Sequence, residues 1–323
     1  MKKTKSQLSP AISVIIPIYN EEKIIGELYQ RLRDSVKGIS ENYELIFVND
    51  GSNDGSILEI MRLAKIDPNV YFINFSRNFG HQIAVTAGLD NCSGKAVVII
   101  DGDLQDPPEV ILDLYAKYKE GFDVVYARRL KRKGETFFKK ISAKLFYRIL
   151  KKITAIDIPI DTGDFRLIDT KVVQCLKAMP EQNKFIRGQI AWLGFKQTEV
   201  LYDRDSRKEG KTAYSIGKMF RFAMDGITGF SDKPLLFVSR LGFFISFISF
   251  LIILYAIYSH YILHQTITGW TSLIVSFMFI GGIQLISVGV IGEYISRMNK
   301  NLLNRPLYII EKTNLKDRDH ADA

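Results

Sequence analysis

Cysteine is scarce in this chain. Only Cys92 and Cys175 occur, far apart and without a CxxC spacing. That excludes a disulfide framework and fits a reducing compartment. No DNA- or RNA-binding motif is present. The opening "MKKTKSQLSP" is basic and polar, and the apolar "AISVIIPIY" behind it is too short for a signal peptide, so it reads as a first strand. The most informative absence is charge. From Leu241 to Gly292 there is no Asp, Glu, Lys or Arg. A globular surface of that length could hardly avoid charge, which places the region in lipid.

Two membrane spans fit the uncharged stretch, about 235–263 and about 270–292. Each exceeds the roughly 20 apolar residues a crossing helix needs. The turn "HYILHQTITGW" has no Lys or Arg, whereas the flanks hold Lys233 and Arg240, then Arg297, Lys300 and Arg305. By the positive-inside rule both flanks are cytoplasmic. The expected organisation is a cytoplasmic domain over 1–230, a transmembrane hairpin over 231–297 and a cytoplasmic tail over 298–323. The competing reading is a buried helical hairpin in a soluble protein. The net charge of +9 points to an anionic membrane surface rather than nucleic acid, because the basic residues lie mostly beside hydrophobic segments. "ETFFKKISAKLFYRILKKITAI", about 135–156, interleaves Phe, Ile and Leu with six Lys or Arg and reads as a basic interfacial helix. "YSIGKMFRFAMDGITGF", about 214–230, reads as a second. Gly281, Gly282, Gly289 and Gly292 allow close helix packing, within the hairpin or between subunits.

The chain's 323 residues suffice for one large domain or two smaller ones. The first part alternates strand and helix patterns. "ISVIIPIYN", "YELIFVNDGS", "VYFINFS" and "KAVVIIDGD" read as strands. Between them lie helical stretches, the second with Asp54 as a plausible N-cap. This order implies an α/β fold, a mainly parallel sheet with helices on both faces. Ligands in such sheets sit at the strands' carboxyl ends. "NDGS" and "DGDLQD" both fall there. In "VVIIDGDLQDPPE", Asp101 and Asp103 are suited to hold a divalent cation on a diphosphate. Asp106 before Pro107 and Pro108 is a good helix start. An Asp-x-Asp alone is weak evidence, since turn chemistry also uses it.

The Asp-x-Asp does not stand alone. "VIIPIYNEE", "FVNDGSNDGS", "SRNFGHQIAVTAGLD", "DGDLQDPPE" and "GDFRLID" follow the order and spacing of family 2 glycosyltransferases with the GT-A, Rossmann-like fold. With two spans after the catalytic domain, about residues 10–310 resemble the polyprenyl-phosphate glycosyltransferases. These include the GtrB-like bactoprenol glucosyltransferases, relatives of dolichol-phosphate mannose synthase. The resemblance implies roles. Pro17, Tyr19, Glu21, Asp50, Asp101 and Gly102 would bind the nucleotide sugar, with Asp50 reading the base. Asp103, with Asp101 and Gln105, would hold Mg2+ or Mn2+. Asp103, Asp164 and Arg166 would be catalytic, Asp164 standing near the acceptor. Arg128 or Arg129 would face phosphate. His81 and Gln82 would lie near the donor, although His81 equally suits a helix start. "RKEGKTAYS" keeps Arg207 and Gly210 of the family's R-x-x-G-x-S-K-Y-S but has Ala213 for its Lys. Arg207 and Lys211 remain for phosphate, with Lys218 a further cation.

The implied reaction is inverting transfer of one sugar, UDP-glucose favoured, to undecaprenyl phosphate at the cytoplasmic leaflet of a bacterial inner membrane. UDP-GlcNAc, UDP-Gal and GDP-Man are the alternative donors. The resemblance also implies a homo-oligomer, with a tetramer as one form, and a downstream flippase and membrane glycosyltransferase. A phosphate monoester, with a second pKa of about 6, is already an anionic nucleophile. Asp164 is therefore expected to position the acceptor or metal as much as to act as a base. Two other readings compete. A processive polysaccharide synthase would carry QxxRW, whereas "RGQIAWLG" has Gln189 and Trp192 without the Arg. A non-catalytic membrane scaffold would have lost one or more of the acids at 50, 101, 103 and 164.

Overall fold

The computed structural model describes residues 9–130, 162–203, 231, 233–262 and 269–315. In chain order the first elements are β1 (Ile12–Ile18), α1 (Ile25–Lys37), β2 (Tyr43–Asn49), α2 (Ser56–Ile66) and β3 (Val70–Phe75). Then come α3 (His81–Asn91), β4 (Ala96–Ile99), α4 (Val110–Lys119) and β5 (Val124–Arg129). After the undescribed stretch follow β6 (Thr162–Asp169), α5 (Thr170–Lys177), α6 (Ile186–Leu193) and β7 (Gln197–Tyr202). The chain ends with α7 (Lys233–Tyr261), α8 (Trp270–Leu303) and β8 (Ile310–Thr313).

One eight-stranded sheet runs in the order β7-β5-β6-β4-β1-β2-β3-β8. β1, β2, β3 and β4 pair in parallel, as the alternating pattern predicts. β6 and β8 run against their neighbours. Every residue of β1 is buried, because a continuous apolar run can be covered on both sides. Ile12, Val14, Ile16 and Ile18 face one hydrophobic cluster, shared with Leu28 and Leu32 of α1, Leu63 of α2 and Leu114 of α4. Ile15 faces the other, with Ala84 of α3, Val172 of α5 and Ile190 of α6. Helices therefore cover both faces. The N-cap of α2 is Gly55, one residue beyond the expected Asp54. Asp54 instead accepts N–H bonds from Ser56 at 3.0 Å and Glu22 at 3.2 Å, which joins two loops.

α7 and α8 contain windows, Lys233–Ile252 and Ser276–Leu303, with mean hydropathy 2.2 and 1.6. Both are long and apolar enough to cross a membrane, and neither is buried within the protein. A core hairpin of a soluble protein would be covered, so that alternative does not fit. The expected interfacial helices at 135–156 and 214–230 lie outside the described residues.

Candidate active site

Strands that share a direction end on one edge. Pro17 and Ile18 of β1, Asn49 of β2 and the turn after β4 meet there. The loops after β1 and β2 are woven together. Ser52 Oγ accepts from Asn20 N–H at 2.9 Å, Asn20 Oδ1 from Asn53 N–H at 2.8 Å, and Ser56 Oγ from Glu21 N–H at 3.1 Å. Pro17 is buried, Glu21 is half-buried and Tyr19 is exposed. Asp50 is buried and accepts from Phe79 N–H at 2.7 Å and Gly80 N–H at 3.0 Å. Gly80 has φ 104°, a conformation that favours glycine. Burial pushes the Asp50 carboxyl up despite these bonds.

The antiparallel β6 brings Asp164 to the same edge. Ile99 pairs with Arg166 in antiparallel register, so Asp101, two residues after Ile99, leaves the sheet on the side of Asp164, two residues before Arg166. Asp164 is buried and accepts from Arg187 Nε at 2.6 Å and Gln82 Nε2 at 3.0 Å. His81 Nε2 stands 3.0 Å from Asp164 Oδ2 and 3.5 Å from Asp101 Oδ1. His81 also starts α3, as the helix-start reading expected. Partial desolvation disfavours the charged imidazole, but Asp101 and Asp164 outweigh it and raise His81 to about 9. Burial likewise disfavours the Asp164 carboxylate. Arg187 and His81 overcome it and hold that carboxyl well below its usual range. Asp101 moves the other way, to about 6, through burial and the neighbouring acids Asp164, Asp106 and Asp103.

The turn after β4 is tightly built. A Cβ on Gly102 would lie 2.4 Å from Ile18 Cδ1 and 2.9 Å from the Pro17 carbonyl oxygen. Leu104 takes φ 55°, strained for a branched residue. Asp103 Oδ1 accepts from Gln105 N–H at 3.1 Å. Asp106 does not begin α4, whose N-cap is Glu109. It is fully buried, accepts from the Tyr202 hydroxyl and lies 3.6 Å from Arg129 Nη2. Glu109 holds Arg31 through two bonds, 2.8 and 2.7 Å. Two of the four acids are thus structural, and Asp101 and Asp103 are left at the edge. Asp101 Oδ1 is buried without a hydrogen bond among the described residues. Among those residues no three His, Cys, Asp or Glu side chains converge closely enough to hold a metal ion unaided.

Residues 13–177 match the family model described as glycosyl transferase family 2. The chain is 54% identical over 301 residues to the uncharacterized glycosyltransferase YkcC of Bacillus subtilis, covering 93% of each chain. It is 40% identical over 302 residues to the SfII prophage-derived bactoprenol glucosyl transferase of Shigella flexneri, covering 94% of this chain and 98% of that one. The chain belongs to glycosyl transferase family 2. Among solved structures, this glycosyltransferase resembles S. aureus TarS 1–349 in complex with UDP-GlcNAc, with a TM-score of 0.48 and 21% identity over 67% of this chain and 65% of that one.

The remaining expected site residues of the glycosyltransferase fall in different places. Arg128 pairs with Glu199 at 3.0 Å, while Arg129 turns to Asp106 and Tyr202. Alternation along β5 sends the two to different partners. Arg166 is buried and donates to the Gly163 carbonyl at 2.9 Å, and burial lowers it to about 10. Arg207 and Lys211 lie outside the described residues. Sequence reasoning missed Arg187. Its signal was available: it is the sole charged residue of α6, in "IRGQIAWL".

Proposed function

We propose that this glycosyltransferase moves a single glucose from UDP-glucose to a polyprenyl phosphate such as undecaprenyl phosphate, with inversion. An α-linked donor then gives a β-linked lipid product. The observation that carries this reading is full-length likeness, at 40% identity, to a relative named as a bactoprenol glucosyl transferase. That likeness spans the sheet and the apolar hairpin together. The reading places the domain over 1–230 in the cytoplasm, the hairpin in a bacterial inner membrane and the active site at the inner leaflet. It also includes a homo-oligomer, and a flippase that takes the product onward.

The residues present fit a divalent cation, Mg2+ or Mn2+. Asp101 offers a buried carboxylate oxygen with no hydrogen bond among the described residues, and Asp103 and Gln105 adjoin it in the same turn. Magnesium is commonly held by one or two carboxylates plus substrate phosphates, which suits a site with few protein ligands. Such a cation would offset charge on the departing diphosphate. Asp164, kept ionised by Arg187 and His81, is a poor proton acceptor. An anionic phosphate acceptor needs no base, so Asp164 acts by positioning. His81 is protonated at neutral pH and 42% exposed, so it presents positive charge beside the reacting phosphates. Arg207 and Lys211 are assigned to the same anions.

The test uses the purified full-length protein, undecaprenyl phosphate, Mg2+ or Mn2+, and radiolabelled UDP-glucose, UDP-GlcNAc, UDP-Gal and GDP-mannose. The expected result is an organic-extractable product from UDP-glucose. Product from another donor alone would reassign the sugar. Donor turnover without lipid product would overturn the acceptor, and no turnover would overturn the enzymatic reading.

A further inference from the structure

The segment after α8 does not hang free of the sheet. β8 runs antiparallel to β3, pairing Ile73 with Thr313, Asn74 with Lys312 and Phe75 with Ile310. Thr313 Oγ1 donates to the Phe72 carbonyl at 2.6 Å, and Asn314 Oδ1 accepts from Phe72 N–H at 2.8 Å. Leu315 is buried in the cluster beneath α3. One consequence is simple edge protection, since β8 covers a strand that would otherwise template aggregation.

The contacts continue past the edge, toward the active-site loop. Ser76 N–H donates to the Ile309 carbonyl at 3.1 Å. The Tyr308 ring stacks on Phe75, centroids 5.2 Å apart and planes 22° apart. Phe75 meets Phe79 edge-on at 5.5 Å, and Arg77 lies 4.1 Å over the Phe79 ring. Phe79 is the residue whose N–H bonds Asp50 at 2.7 Å. Tyr308 is also pinned on its other side, donating to Asp90 Oδ2 at 3.0 Å. An unbroken line of packed rings thus runs from the chain leaving α8 to the Asp50 clamp. Aromatic pairs of this kind contribute about 0.5–1.5 kcal/mol each beyond burial, enough to bias a short loop.

We propose that Tyr308 is a positioning residue for the donor site: through Phe75 and Phe79 it holds the 76–80 loop in the conformation that clamps Asp50. The loop's setting is thereby tied to the apolar helix α8, whose last residue, Leu303, lies five positions before Tyr308. This rests on the reading that the Asp50 loop takes the nucleoside diphosphate.

The experiment compares full-length wild type, Tyr308→Leu and Tyr308→Phe in detergent, titrated with UDP and GDP by calorimetry and assayed for donor and acceptor KM. Tyr308→Leu keeps apolar bulk but loses the stack. It is expected to weaken nucleotide binding and raise donor KM about tenfold, with acceptor KM within about twofold. Tyr308→Phe keeps the ring and stays within about twofold on both. Coupling is reciprocal, so UDP bound to wild type should slow hydrogen exchange of the 310–315 amides as well as those of 77–80. This arm needs no variant and stands even if Tyr308→Leu fails to fold. Wild-type binding that Tyr308→Leu leaves within twofold would overturn the proposal alone, as would exchange protection confined to 77–80. A wild type that binds neither nucleotide would overturn the donor reading, and this inference with it.

Discussion

The end of β4 and the start of β6 meet at one edge, and each contributes a carboxylate, Asp164 buried and Asp101 partly exposed with one buried oxygen. The two are treated in opposite ways. Asp164 receives bonds from Arg187 and Gln82 and faces His81, and its carboxyl is held well below the usual range. Asp101 keeps an oxygen without a hydrogen bond among the described residues, and its carboxyl is raised to about 6. One acid is saturated by hydrogen bonds from protein groups, while the other has only His81 at 3.5 Å from an oxygen that accepts no hydrogen bond among the described residues. A buried oxygen that accepts no hydrogen bond costs about 1–3 kcal/mol, only partly offset here by His81 Nε2 at 3.5 Å, and such a cost suits a place where a ligand would bind.

The sharpest way to break this contrast is at the turn that carries the unsatisfied acid. Asp103→Ala removes a hard oxygen donor from an exposed-edge turn without opening the core. Transfer should fall by at least about 10²–10³-fold, the scale of losing a preorganised charge-stabilising group. The melting temperature should barely move. Activity retained in this variant would sink the metal assignment.

On the saturated side, Arg187→Ala takes away the strongest partner of Asp164. Removing one member of a buried ion pair costs about 3–5 kcal/mol. The lower end is expected here, because Gln82 and His81 still reach the carboxylate. Thermal unfolding should drop by several degrees, and turnover should fall with it. Arg187→Lys should recover part of the stability but less of the turnover, since a single ammonium does not reproduce the guanidinium's directed bond. Equal stability in Arg187→Ala and wild type would show that the pair is not what saturates Asp164.

A smaller effect is expected at Gly102, which packs the turn after β4 against β1. Gly102→Ala drives a methyl against Ile18 and the Pro17 carbonyl. Ile18 can rotate its end group, but the carbonyl is fixed in β1, so overpacking of about 1–3 kcal/mol is expected. Stability measured by denaturant should show it, and metal-dependent activity should weaken because the turn shifts. A neutral Gly102→Ala would mean that the turn is more pliable than its contacts indicate.

What was legible in the sequence was what short-range pattern encodes. Continuous apolar runs gave β1 to β4, and turn residues at their ends gave the ligand edge. Partners far apart in sequence were not legible. "DPPE" reads locally as a helix start, yet Asp106 is buried by Tyr202, 96 positions away. Arg187 meets Asp164 only because β6 and α6 fold onto the same end of the sheet. The segment after α8 reads as a polar tail, because four residues pairing with an edge strand carry almost no periodic signal. The two antiparallel strands were missed for a related reason: alternation announces a strand, not its direction or its neighbour.

The smallest expected effect concerns His81, which bridges the two acids. Its folded value of about 9 lies above the ordinary histidine value, so its contribution to stability has a definite sign. The contribution is fully present below the unfolded value of about 6.5 and is lost as pH rises through about 9. In metal-free protein, wild type should therefore lose thermal stability between neutral pH and about 9.5 relative to His81→Asn. The imidazole is 42% exposed, so solvent screening keeps this difference small. A cation bound at Asp101 would compete with His81 for the same oxygen. Added Mg2+ should then shrink the pH-dependent difference, whereas Mg2+ acting elsewhere would leave it unchanged. The bridging histidine thus reports on the comparison itself: whether the unsatisfied carboxylate and the saturated one behave as one site or two.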